Sequence, residues 1–145
     1  GEMEAVRMIC EWAALRNHLH KVEVLGFVDG KTSVDWIRQA GCQVLNLLCK
    51  GSLKHCTQQL QKSPEEHIND IKETIYYAHS QGILVNLYLE DWSSGMKHSP
   101  EYVFQLVDAL QTTPVQRFML PDTLGILNPL QVRSECPQCP LRLDS

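Results

Sequence analysis

No part of this sequence approaches the ~18 consecutive apolar residues that a membrane-crossing helix requires, and no basic-then-apolar leader opens it. Positive charge is scarce as well. Lys and Arg number 13 against 17 Asp and Glu, a formal net charge of −4, so there is no basic stripe for a nucleic-acid backbone. Glycine fingerprints are missing: neither G-x-G-x-x-G nor a P-loop follows any strand-like run, which leaves nucleotide binding without support. A second C-x-x-C is absent too, so Cys136-Pro-Gln-Cys139 is half of a zinc knuckle at most. The other four cysteines do not make a disulfide framework by pattern. Cys42 and Cys49 flank or end an apolar run, where small buried thiols are common, and reduced cysteines in a cytoplasmic protein are expected.

What is present is an ordinary globular composition, 43% hydrophobic and 21% charged over 145 residues, enough for one domain. Helical and strand signals alternate along it. Glu2 to Leu15 aligns Val6, Ile9, Cys10 and Ala13 at helical spacing. Four short apolar runs, about residues 21–26, 43–48, 83–89 and 116–121, read as strands. Between them lie a helix near Val34 to Gln39 ending at Gly41, and one opened by Ser52 with Leu53, Cys56 and Leu60 aligned. Ser63-Pro-Glu-Glu66 opens the longest, with Ser at N-cap, Pro at N1 and Glu at N3; Ile68, Ile71, Ile75 and Ala78 share its face and Gly82 stops it. Ser99-Pro-Glu101 opens another, with Val103, Leu106, Val107 and Leu110 aligned. Strands apolar on nearly every position, alternating with helices, predict parallel βαβ units covered on both faces. An open doubly wound sheet and a closed barrel both satisfy that order.

The last fourteen positions break the pattern. Asn128-Pro-Leu-Gln131 starts a helix that Pro137 and Pro140 forbid to continue. Residues 1–131 are therefore expected to form the domain, and residues 132–145 an aberrant, poorly ordered tail.

In parallel α/β folds chemistry gathers where strands end. Those ends are polar here: Asp29, Lys50 to Ser52, Glu90-Asp91-Trp-Ser93, and Asp122-Thr123. Glu90 and Asp91 directly follow a buried strand, where a carboxylate needs a partner or a ligand; Asp91, Asp122 and Thr123 could also simply organise turns. His18-Leu-His20 could chelate a divalent ion, but it precedes the first strand, at the end opposite the functional loops, and two ligands seldom make a site. His55, His67, His79 and His98 read as surface residues.

Taken together, Val24-Leu-Gly-Phe-Val-Asp-Gly30, Val34-Asp-Trp-Ile37, Val44-Leu-Asn-Leu-Leu48, Lys50-Gly-Ser-Leu53, Tyr88-Leu-Glu-Asp-Trp-Ser93, Ser99-Pro-Glu-Tyr-Val103 and Leu120-Pro-Asp-Thr-Leu-Gly125 resemble the citramalate synthase branch of the 2-isopropylmalate synthase and homocitrate synthase family. The resemblance runs from Gly1 to about Gln131. It implies a partial (β/α)8 TIM barrel of about four parallel strands, the family's strands three to six, and roughly half of the ~250 residues of a complete barrel. It implies an acyltransferase that joins acetyl-CoA to a short 2-keto acid in a Claisen-type condensation, for leucine or isoleucine biosynthesis. A divalent metal (magnesium, manganese or zinc) serves as Lewis acid in the complete enzyme, which is expected to be a homodimer. By the same resemblance Glu90 flanks the keto-acid side-chain pocket, Thr123 meets the substrate carboxylate, and Leu25, Leu48 and Tyr88 form an apolar wall that favours pyruvate over 2-oxoisovalerate. The family's Arg-Asp pair and His-x-His metal ligands have no counterpart, so no metal is expected on this chain and the chain alone is expected to be inactive.

A frame shift near Val132 would account for the tail. The competing readings are a truncated, non-catalytic paralogue that binds a partner through exposed sheet edges, and a small zinc module, which one C-x-x-C barely supports.

Overall fold

The computed structural model describes residues 1–131, as four strands and five α-helices. Helix α1 spans Glu2–Ala14, strand β1 Glu23–Phe27, α2 Thr32–Gln39, β2 Val44–Lys50 and α3 Pro64–Ser80. Strand β3 spans Leu84–Glu90, α4 Trp92–His98, α5 Pro100–Leu110 and β4 Val115–Met119. The strands form one parallel sheet in the order β1-β2-β3-β4, so each pairs with its successor in sequence.

Local signals explain most boundaries. At α3 the Ser63 hydroxyl accepts the Glu66 amide (3.2 Å) while the Glu66 carboxylate accepts the Ser63 amide (2.8 Å), the reciprocal box that the sequence predicts. Helices α2 and α3 both end in a left-handed glycine, Gly41 (φ +84) and Gly82 (φ +74). The next amides, of Cys42 and Ile83, fold back onto Ile37 and Ala78 carbonyls. The segment opened by Ser52 differs from expectation: it makes one π-helical turn, His55–Gln59, and Gln61 (φ +55) ends it. Ser52 does open it: its hydroxyl accepts the His55 amide three residues on and also donates to Asp91.

Alternation along the strands divides the sheet into two faces. Leu45, Leu47, Cys49, Val85, Leu87 and Leu89 point to the helix-covered face and are fully buried against Ile37, Ile71, Ile75, Leu106 and Leu110. Each such side chain contributes about 1.5–3 kcal/mol by leaving water. The opposite face holds Glu23, Leu25 and Phe27 of β1, then Asn46, Leu48 and Lys50 of β2, then Asn86, Tyr88 and Glu90 of β3. Among the described residues no helix covers this open face, and Leu25 and Phe27 are 52% and 54% exposed. A polar ladder crosses it: Asn86 Nδ2 donates to Asn46 Oδ1, and Asn46 Nδ2 to Glu23 Oε2, both at 3.0 Å.

Helix α1 corrects one expectation. Cys10 and Ala13 are buried, but Ile9, placed with them by periodicity, is 53% exposed, alongside outward-facing Met8, Trp12 and Leu15. Among the described residues no helix is long and apolar enough to cross a membrane. The tail expectation and the Cys136 and Cys139 pair lie outside the described residues.

Candidate functional site at the carboxyl ends of the strands

Parallel strands place all their carboxyl ends on one rim, and the register shows what meets there. Leu48 lies level with Tyr88 between β2 and β3, and Lys50 level with Glu90 one step further toward the rim. Phe27 and Met119 stand at the Leu48–Tyr88 level on the flanking strands, so the apolar layer is Phe27, Leu48, Tyr88 and Met119. Leu25 belongs one step lower, level with Asn46, and lines a groove of about 510 Å³ along the free edge of β1 with Val6, Val24, Phe27 and Trp36. Phe27, which the sequence does not single out, is the β1 residue level with Leu48. A separate cavity of about 200 Å³ opens against Phe27, Leu48, Lys50 and His67.

Glu90 has the partner that its burial demands. Its carboxylate forms an ion pair with Lys50 Nζ, the two side chains only 29% and 18% exposed. Lys50 is itself held in place. Its amide donates to His67 Nε2 (3.1 Å), the Tyr102 hydroxyl donates to its carbonyl (2.6 Å), and the next amide, of Gly51, donates to the Glu90 carbonyl (2.6 Å). Because His67 Nε2 accepts, its proton sits on Nδ1 and the ring is neutral. Burial pushes the His67 pKa down to about 4, the nearby Asp70 carboxylate opposing the shift. His67 is therefore a core residue, a correction to its reading as a surface one; buried polar Lys50 N–H needed an acceptor that a lone sequence position cannot reveal. His79 and His98 are exposed as expected.

Behind this pair lies a second polar cluster. Asp91 is 4% exposed and takes a left-handed backbone (φ +61), unusual for a residue with a side chain. Its Oδ2 accepts the Ser52 hydroxyl (2.9 Å) and lies 3.4 Å from His55 Nε2, which makes His55 a loop anchor, not a surface residue. Asp91 Oδ1, Ser93 Oγ and His55 Nδ1 have no hydrogen-bond partner among the described residues. Asp91 stands at the N-cap of α4, but its side chain is a buried acceptor for Ser52 and makes no capping bond.

Thr123 stands in the exposed loop after β4. That loop is tied to the β3 rim, because Trp92 Nε1 donates to the Pro121 carbonyl at 3.0 Å. Asp122 holds its own turn by accepting the Ile126 and Leu127 amides. His18 and His20 flank the turn before β1, at the amino ends of the strands and away from Glu90. Among the described residues no group of three or more His, Cys, Asp and Glu side chains could hold a metal ion.

This chain has counterparts among known proteins. The HMGL-like family profile matches residues 1–138. The chain belongs to the HMGL-like family. Among curated relatives, a 2-isopropylmalate synthase of Saccharolobus solfataricus is 26% identical over 132 residues, covering 90% of this chain and 32% of that protein. A putative (R)-citramalate synthase of Methanopyrus kandleri is 27% identical over 130 residues, covering 89% and 24%. This HMGL-like chain thus spans a third or less of the length of these relatives. Among solved structures, the Bacillus subtilis HMG-CoA lyase superposes with a TM-score of 0.66 at 21% identity, over 78% of this chain and 39% of that one. The hydroxymethylglutaryl-CoA lyase of Pseudomonas aeruginosa gives 0.66 at 13%, over 80% and 40%. The four-stranded sheet is accordingly a partial (β/α)8 barrel, as the residues quoted above imply, and its open face is the interior of that barrel.

Proposed function

We propose that this HMGL-like chain is the part of a condensing acyltransferase that recognises the 2-keto acid, and that it is inactive by itself. One observation carries the reading. An apolar layer, Leu48 beside Tyr88, stands on the barrel-interior face directly beneath the Lys50–Glu90 pair at the carboxyl rim. In this reading Leu48 and Tyr88, with Leu25 below, wall the methyl side of pyruvate, the favoured acid, leaving less room for the branched side chain of 2-oxoisovalerate. Glu90 borders that wall, and Thr123 hydrogen-bonds the substrate carboxylate from its loop. Acetyl-CoA supplies the acyl group. The names of the relatives support condensation, and the rim's mixture of apolar wall and paired charge supports a small, polar-headed substrate. One missing or added methylene is worth about 1–3 kcal/mol, so the preference for pyruvate is soft.

Two measurements test it. The purified chain, given acetyl-CoA with either keto acid and magnesium, manganese or zinc, should release no free thiol above the metal-only blank; turnover that survives repurification overturns the claim of inactivity. Exchanged for the matching segment of a citramalate synthase, residues 1–131 should support condensation with pyruvate. In that chimera Tyr88→Ala should shift preference toward 2-oxoisovalerate by roughly tenfold or more. A folded, active chimera indifferent to Tyr88→Ala would remove the keto-acid assignment.

A further inference from the structure

Helix α1 packs against the turn between α2 and β2 by a narrow contact. Only Cys10 and Ala13 are fully buried, while Met8, Ile9, Trp12 and Leu15 are each more than half exposed. At the centre of that contact the Cys10 and Cys42 sulfurs are 2.8 Å apart, although the two residues are 32 apart in sequence. Both are almost wholly buried, at 2% and 3% exposure. Cys42 is fixed from the other side. It follows the left-handed Gly41, and its amide is bonded to the Ile37 carbonyl at the end of α2, two residues before β2 begins. The remaining described thiols have no sulfur neighbour: Cys49 leans on the Leu47 carbonyl, and Cys56 on those of Lys62 and Ser63. A cavity of about 290 Å³ opens beside Cys10, bordered by Arg7, Leu19, Gln39 and Gly41.

We propose that Cys10 and Cys42 are a modification site, a dithiol that closes into a reversible disulfide and staples α1 to the turn before β2. The sulfurs are already in contact, and the bond of about 2.05 Å needs less than an ångström of further approach. The oxidant is hydrogen peroxide entering through the cavity. One thiol, as thiolate, attacks the O–O bond and becomes a sulfenic acid, releasing the first water. The second thiolate attacks that sulfur and expels the hydroxyl as the second water. The two sulfurs lose two electrons to the peroxide, and their two protons leave in the waters. A thiol reductant returns both. Burial, with Cys10 as neighbour, pushes the Cys42 thiol up to about 12, so closure is slow at neutral pH and quickens as pH rises.

The test uses the full chain carrying Cys136→Ser and Cys139→Ser, so that the C-x-x-C pair cannot compete. The folded protein is treated with hydrogen peroxide at pH 7 and pH 9, alkylated and digested. The expected result is one peptide pair joined through Cys10 and Cys42, forming faster at the higher pH. The melting temperature should rise by about 5–10 °C, because the bond constrains a 32-residue separation in the unfolded chain, and dithiothreitol should reverse it. Cys10→Ser and Cys42→Ser should each abolish linkage and shift. The linkage map needs neither variant, so loss of folding in one of them does not obscure the answer. Alkylatable Cys10 and Cys42 after treatment, single-sulfur oxidation products without a linked peptide, or linkage only in denaturant would each overturn the proposal.

Discussion

Gly95 rests directly on Gly51: a Cβ built on Gly95 would lie 2.2 Å from the Gly51 carbonyl oxygen and 2.8 Å from Val103 Cγ2. Gly51 is itself pressed against β3, where a Cβ would meet the Glu90 carbonyl oxygen at 2.8 Å. The β2 and β3 rims and helix α4 therefore abut backbone to backbone. Gly95→Ala should cost about 3 kcal/mol, since the obstructing atom is a carbonyl with no rotamer to change. Thermal unfolding measures it, and a melt within a degree of wild type would mean that α4 and the Gly51 backbone do not touch in solution.

The Lys50–Glu90 pair makes a prediction of asymmetry. Glu90→Gln leaves a mostly buried ammonium without its counter-charge and should destabilise the fold by about 1–2 kcal/mol. Replacing both, Lys50→Met with Glu90→Leu, should recover most of that loss, because desolvation of the two charges disappears along with their attraction. Urea titration of the three proteins decides the point; a double variant less stable than Glu90→Gln would contradict it.

His67 sets a pH dependence. Folding holds its pKa near 4 against an ordinary 6.5, so between those values the unfolded chain takes up a proton that the folded chain refuses. Stability attributable to His67 is complete above pH 6.5, falls as pH drops through that window, and levels off below about 4. The span is on the order of 3 kcal/mol. His67→Gln should flatten the stability profile over that window relative to wild type; two parallel profiles would show that the imidazole is not shielded.

The open face and the outer side of α1 expose Leu25, Phe27, Met8, Trp12 and Leu15. The isolated chain is expected to self-associate and to bind a hydrophobic dye, and Phe27→Ser should reduce both. A sharp monomer peak in sizing together with no dye binding would rule this out.

Strands and helices were legible because their signals are local. The box at Ser63 and Glu66, the stops at Gly41 and Gly82 and the apolar runs of β2 and β3 each declare themselves within a few residues. The partners across the sheet did not. Asn46 and Asn86 look like flaws in apolar runs until the register sets them beside each other and Glu23. Lys50 shows no link to Glu90, 40 residues on, nor His67 to the Lys50 amide. Phe27 beside Leu48 was not legible because a strand's level against its neighbour is a tertiary quantity. Ile9 misled for a related reason: periodicity ranks a helix face by composition, while the width of the actual contact is set by what lies beneath.

Each strand of this sheet pairs with the one that follows it in the chain. Every pairing therefore closes only the connection between successive strands, and the entropy lost in closing loops grows only slowly with their length. The sheet can assemble by accretion, a finished pair serving as the template on which the next strand settles, without waiting for distant ends to meet. Such an order tolerates gain or loss of whole βα units at its margins, because the interior pairings never depended on them.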